Sequence, residues 1–488
     1  MTAPITLTPG QQAALDQLLD AVAQGKNTAL HGPAGTGKTT LTGVLIQRLL
    51  DQGLAITVAA PTHKALAVLR SRVPAEVSTV TVASLLGLKP VQKGRWVQFI
   101  ADYRQAEKRG QLRGIDALIC DEASMISQQL GGELERLARS TGTVIICIGD
   151  PSQLSPVDPP PEPGEDEDQH RGVMAQLFLA PEVGPVVLTE VVRHQGPVLE
   201  LATEIRQCTT RKEVDACWPS NDQADANSTI FTYDWPNPWL AAAKRVLCDP
   251  RWEQQPDTGR IVCWSNKAVD RITQQIRQAK LGEKLAAEGW QVGEIVANGD
   301  AIQDPGKPKA RPLAPSSCEW RITSTHEWSL DKTIDTAEWF TPKRKERREF
   351  VIGCSLMVQR LQLTPLDASS GRSPIVVFTP RPGSTEWAEQ LTALRGQITK
   401  MGPGKARNEA WAAWHELRSH LCDLRSAAVL TVHRAQGSTF KHVWVAGDLA
   451  FCNTDDAIAL HYVALTRASK AVHLVRRTTP EPAGQIAA

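Results

Sequence analysis

The ten residues HGPAGTGKTT, His31 to Thr40, carry the spacing G-x-x-x-x-G-K-T from Gly32 to Thr39. Gly35 and Gly37 let the backbone curl tightly enough to aim N–H groups at phosphate oxygens, and a helix N-terminus beyond them adds a favourable dipole. Gly32, Pro33, Ala34, Gly35, Thr36, Gly37, Lys38, Thr39 and Thr40 are therefore a candidate cradle for a nucleoside triphosphate. Lys38 would meet the β and γ phosphates, and Thr39 would ligate Mg²⁺. Further on, ALICDEAS sets Asp121 and Glu122 at the end of an apolar run, where neighbouring carboxylates are costly unless they are used. They suit water-mediated Mg²⁺ binding by Asp121 and activation of an attacking water by Glu122; a helix N-cap pair is the other reading. CIGDPSQLSPV follows another apolar run and puts Asp150 and Gln153 where a γ-phosphate could be sensed.

Such residues need elements that bring them to one edge. The runs NTALH, AITVAA, DALICDE and TVIICIGD are continuously apolar and alternate with helix-like segments. That texture belongs to strands buried on both faces of a parallel sheet, whose ligands bind beyond the strands' carboxyl ends. GPVVLTE, GRIVCWSN, AAVLTVHRAQG, HVWVAGD and KAVHLV read as a second set and predict a second sheet of the same kind. Between these sets lie about 150 residues of short apolar stretches broken by Gly and Pro, the pattern of a β-rich insertion. LKPVQKGRWVQFI interrupts the first set, with Lys93 and Gly94 placed to turn a hairpin whose return strand carries Trp96 and Phe99. The expected boundaries are 1–184 for the first unit with its hairpin at 86–114, 185–275 and 425–488 for the second, and 276–424 for the insertion.

Composition constrains less. The 488 residues carry 54 basic and 53 acidic side chains, so the net charge of +1 neither announces nucleic acid nor argues against it. Ten cysteines without a C-x-x-C pair predict free thiols in a reducing, cytoplasmic setting, with Cys120 and Cys147 inside apolar runs. No signal-like start and no apolar run of about 18 residues is present, which predicts a chain without membrane attachment. Most of the 14 Trp are expected in packing and the remainder on bases.

The order of the motifs resembles that of superfamily 1 helicases along nearly the whole chain. LTPGQQAAL is similar to the family's base motif, with Gln11 as adenine reader. APTHKAL and TVASLLGL resemble strand-contact motifs, carrying Pro61, Thr62, His63 and Ser84. LTEVVRH and YVALTRA match the motifs that bring Arg193 and Arg467 to the γ-phosphate from the second motor domain. TVHRAQGST matches the motif that couples nucleotide to DNA, with Thr431, His433, Gln436, Gly437 and Ser438, although Arg434 stands where Lys is common. Gln153 to Val157 read Q-L-x-P-V as in the 5′ to 3′ RecD-like and Dda-like subgroup, with Pro156 as a strand contact, and WSNKAVDRI adds to that likeness.

The resemblance implies an α/β fold of two RecA-like P-loop motor domains, a hairpin insertion in the first and a small Src-homology-3-like β-barrel in the second. It implies ATP and Mg²⁺ as cofactors, Lys38, Asp121, Glu122, Gln153, Arg193 and Arg467 as catalytic residues, and Thr39 and Asp121 around the metal. Single-stranded DNA and duplex forks are the implied partners of a monomer, and single-strand-binding or replication proteins are compatible with it, in replication, repair or recombination. Trp96 or Phe99 would cap the last base pair at a fork; packing of the hairpin is the competing role for each. Three rival readings share parts of this pattern: an NTPase switch that grips nucleic acid without travelling, a nuclease or relaxase subunit, and an RNA or mobile-element helicase. The switch would share the phosphate loop and the carboxylates but would not need APTHKAL, TVHRAQGST or a second sheet domain with its own arginines, and no D-x-n-E-x-K or His-rich cluster supports the nuclease.

Overall fold

The computed structural model describes residues 6–476 apart from 71–72, 94–95, 101–102, 157–172, 191–195, 305–311, 342–345, 368–370 and 453–455. The chain forms two compact units, residues 1–239 with 435–488 and residues 240–434. Its described strands in the first stretch are β1 (Thr28–His31), β2 (Ile56–Ala60), β3 (Ser78–Thr81), β4 (Lys89–Lys93), β5 (Trp96–Ile100), β6 (Ala117–Cys120), β7 (Val144–Gly149) and β8 (Pro185–Val187). Then come β9 (Gln223–Ala224) and β10 (Thr229–Tyr233). The second unit holds β11 (Gly259–Cys263), β12 (Ile295–Asn298), β13 (Glu319–Thr341), β14 (Glu346–Pro365), β15 (Ile375–Thr379), β16 (Leu424–Ser426) and β17 (Val429–Thr431). The chain returns to the first unit with β18 (Phe440–Val445) and β19 (Ala468–Val475).

Six strands of the first unit form a parallel sheet in the order β3-β2-β6-β7-β1-β8. Their continuous apolar runs follow from helices on both faces. Leu30, Val58, Ile119 and Ile146 pack against Leu41, Leu45, Ile46 and Leu49 of the helix Lys38–Asp51. The alternate residues Ala29, Leu118 and Ile145 pack with Leu134, Leu137 and Phe178 on the other face. GPVVLTE departs from its expected place in the second set: Val186 pairs with Leu30, so β8 is the edge of the first sheet. A three-residue apolar run pairs with whichever strand edge the chain reaches, and its opening Pro185 lacks the N–H a central strand needs.

β4 and β5 pair antiparallel with Lys93 opposite Trp96, so the hairpin forms where the spacing predicts one. Elsewhere in this unit β18 and β10 flank β19 in parallel, with β9 antiparallel to β10. In the second unit β11 and β17 pair in parallel, and β15-β14-β13-β12-β16 form an antiparallel sheet. Two of its strands run to 23 and 20 residues, against the short stretches expected. Leu330, Ile352, Leu356 and Val358 of this pair pack on Trp411, Trp414, Leu394 and Ile398. Polar residues interleave with apolar ones along both strands, which hides their length from a count of continuous apolar runs.

Trp239, Trp252, Trp290, Trp320, Trp411, Trp414 and Trp444 are buried, in keeping with packing as the main use of Trp. All ten cysteines are free thiols, and Cys120 and Cys147 are buried cross-strand neighbours. Among the described residues no helix is long and apolar enough to cross a membrane.

Candidate active site

Register delivers the site. Cys120 pairs with Cys147 and His31 with Gly149, so β1, β6 and β7 end together and their following loops share one edge. Gly35 and Gly37 have φ of 87° and 80°, the left-handed region that favours glycine. Gly37 caps the helix Lys38–Asp51 without a side-chain bond, and a Cβ there would collide with Gln11 Nε2. Glu122 also adopts a left-handed φ of 53°, unusual for a residue with a side chain and a mark of strain held at a working position.

A cavity of about 450 Å³ opens at this edge, with Lys38, Thr39, Asp121, Glu122, Gln153 and Arg467 in its wall. Gln11, Ala34, Gly35, Gly37, Thr40 and Gly437 line it as well. Gly32, Pro33 and Thr36 brace the loop behind it: Lys38 Nζ donates to Gly32 O at 2.5 Å and Pro33 O at 3.0 Å, and Thr36 Oγ1 donates to Pro33 O at 2.9 Å. Burial lowers the Lys38 pKa against the pull of Asp150, Glu122 and Asp121. Gln11 is held by two bonds, accepting from Thr8 N at 3.1 Å and donating to Thr36 O at 3.1 Å. The donor set at the wall, a threonine hydroxyl and a carboxylate, suits a hard cation such as Mg²⁺.

Arg467 caps the helix Ala457–Thr466 and is buried. Its guanidinium donates to Val463 O and Ser438 O, each at 3.1 Å, and to Thr466 Oγ1 at 3.0 Å. Burial lowers its pKa, opposed by the nearby charge of Glu122.

One residue of this site escaped sequence reasoning. Tyr462 is 1% exposed, and its hydroxyl donates to Asp150 Oδ2 at 2.6 Å while accepting from Ala34 N at 2.9 Å. The available signal was a tyrosine inside the predominantly apolar AIALHYVALT, where a buried hydroxyl must find a partner.

The strand-contact residues fall in several settings. Pro61 and Thr62 are half-buried, and Thr62 Oγ1 accepts from Ala65 N at 3.2 Å. Ser84 is exposed, while Pro156 and His433 are half-buried. Thr431 is buried, with Oγ1 accepting from Arg434 N at 3.3 Å. Gln436, expected at DNA, is 6% exposed, and its Nε2 donates to Gln153 Oε1 at 3.1 Å, beside the cavity. A buried amide must satisfy its hydrogen bonds within the protein, and Gln153 is the partner in reach. Arg193 and the side chains of His63, Trp96 and Phe99 lie outside the described residues.

Residues 6–218 match the family model described as an AAA domain, and residues 426–475 the UvrD-like helicase C-terminal domain. The ATP-dependent DNA helicase dda of Enterobacteria phage T4 is 30% identical over 475 residues, covering 94% of this chain and 97% of that protein. Among solved structures, Pif1 helicase from Bacteroides in complex with ADP-AlF3 and ssDNA is 18% identical with a TM-score of 0.49, covering 98% of this chain and 95% of that one. Pif1 helicase from Candida albicans is 14% identical with a TM-score of 0.47, covering 96% and 95%.

Proposed function

The chain belongs to the Dda-like superfamily 1 DNA helicases, and from that premise we propose that it is an ATP-dependent DNA helicase that moves 5′ to 3′ on single-stranded DNA and unwinds duplex. The observation that carries this is the gathering of Lys38, Asp121, Glu122, Gln153 and Arg467 around one cavity. Lys38 exchanges its loop carbonyls for the β and γ phosphates, and the N–H groups of residues 35–40 complete the cradle. Thr39, with Asp121 through water, would hold Mg²⁺, which would supply charge neutralisation at the phosphate oxygens. Glu122 orients the attacking water and takes its proton. Arg467, joined by Arg193, meets the charge that builds on the γ-phosphate, and Gln153 senses its presence.

Motor units at 1–184, which the pairing of β8 extends through Val187, and at the rest of 185–275 with 425–488, plus an insertion at 276–424, are the division this reading uses. Pro61, Thr62, His63, Ser84, Pro156, Thr431, His433 and Gln436 grip the strand, so that alternation of grips converts hydrolysis into travel. Trp96 or Phe99 on the β4–β5 hairpin stands at the fork. The protein acts as a monomer in the cytoplasm, on single strands and forks, beside single-strand-binding or replication proteins.

A strand-displacement assay tests the reading. Duplexes with a 5′ tail should open in the presence of ATP and Mg²⁺ while 3′-tailed duplexes stay closed, and single-stranded DNA should raise ATP turnover. Preference for the 3′ tail would overturn the direction, and turnover indifferent to DNA would return the chain to a nucleotide switch.

A further inference from the structure

We propose that the Tyr462 hydroxyl is a positioning group, tying the phosphate loop and the Asp150 turn to the helix that carries Arg467 so that the arginine feels the state of the loop. The inference rests on the helicase reading and concerns how its ATP site is coupled.

Both capacities of the hydroxyl are used, and each reaches a different motif. It donates to Asp150 Oδ2 in the turn after β7 and accepts from Ala34 N–H in the phosphate loop. Ala34 lines the cavity, so a phosphate oxygen and the hydroxyl compete for one donor. Asp150 is fully buried, and its other oxygen accepts from Ser152 N at 3.0 Å. The same turn is gripped a second time through Gln153, whose Oε1 accepts from Gln436 Nε2. Just beyond Tyr462, at the helix's C-cap, bonds to Val463 O, Thr466 Oγ1 and Ser438 O make Arg467 ride with the helix and the loop before β18. A displacement at Ala34 or Asp150 therefore reaches Arg467 through one hydroxyl and one helix, with no flexible side chain between.

The hydroxyl cannot serve as an acid or base near neutral pH. Burial, reinforced by the Asp150 charge, raises its pKa far above the usual tyrosine value and keeps the proton in place. Position is what it contributes.

Tyr462→Phe keeps the ring and deletes the hydroxyl. ATP turnover is measured with and without saturating single-stranded DNA, together with the ATP concentration at half-saturation. The DNA-stimulated to unstimulated ratio should fall by about tenfold or more, with half-saturation moving less than about threefold. A hydroxyl that only satisfies buried partners would lower both turnovers alike by reducing the folded fraction, and an unchanged ratio overturns the proposal. So does a rise in half-saturation with the ratio intact, which marks a simple binding group. If Tyr462→Phe fails to fold, Tyr462→Phe with Asp150→Asn removes the unpaired buried charge and should show the same fall in ratio; an unchanged ratio there overturns the proposal equally. A wild-type enzyme without DNA stimulation would overturn the helicase reading and this inference with it, whereas a stimulated wild type with an unaltered variant ratio sinks the inference alone.

Discussion

Lys38 and Arg277 are both cations withdrawn from water, in different units, and their surroundings differ in kind. Arg277 is 5% exposed and meets Glu294 through two bonds of 2.7 and 3.1 Å, with Ala286 O and Gly289 O accepting two more and Trp290 stacked 4.8 Å away. Four of its five N–H groups are matched by acceptors inside the fold, two of them on a carboxylate in direct contact. Lys38 Nζ bonds neutral carbonyls of its own loop, while the carboxylates that attract it stand off, Asp150 in the interior and Glu122 and Asp121 at the cavity wall. A cation compensated in contact is architecture; one compensated at a distance is reserved for an anion that arrives.

The contrast can be broken at its strongest point first. Lys38→Ala should lower ATP turnover by about 10³-fold or more while the thermal midpoint stays near wild type, since no packed group is lost. Near-normal hydrolysis would erase the distinction. Glu122→Gln should cost about 10²- to 10⁴-fold in hydrolysis yet keep nucleotide binding, read by titration with a fluorescent ATP analogue. Failure to bind would move Glu122 from chemistry to cradle.

Arg277→Ala should do the reverse. It strands Glu294 in the interior and should cost about 3–5 kcal/mol of stability by denaturant unfolding, with turnover per folded molecule unaltered. A loss of turnover without a loss of stability would make Arg277 functional after all.

The smallest effect belongs to His473, stacked between Trp444 at 4.2 Å and Phe231 at 4.7 Å and bonded to Tyr233 and His442. Burial, with the neighbouring His442 adding to it, pulls its pKa from 6.5 down to about 3. The folded chain therefore keeps this ring neutral in the window where the unfolded chain protonates it, and stability falls as pH drops through that window, by up to about 1.4 kcal/mol per pH unit. His473→Phe should flatten that slope in urea unfolding between pH 6 and pH 4. An identical slope in the variant would place the acid sensitivity elsewhere.

The legible and illegible parts of the chain follow the same division. HGPAGTGKTT and ALICDEAS announced themselves because phosphate binding and water activation need their groups contiguous on one loop, and the structure lines one cavity with them. The apolar runs announced β1, β2, β6 and β7 because burial on both faces keeps them predominantly apolar, with Thr28, His31 and Thr57 the polar residues in them. β3 and β10, with the sequences STVT and TIFTY, carry partly exposed residues and gave no such signal.

By itself the sequence determined the identity of the groups at the site and the local shapes that hold them, since φ at Gly35 and Gly37 and helix initiation at Lys38 depend on neighbours in the chain. Tertiary structure alone decided that β8 joins the first sheet, that Gln436 turns inward to Gln153, and that Tyr462 reaches Ala34 and Asp150. Those outcomes depend on partners far away in sequence, and a buried hydrogen-bonding group takes the partner that packing brings within reach, which no local pattern encodes.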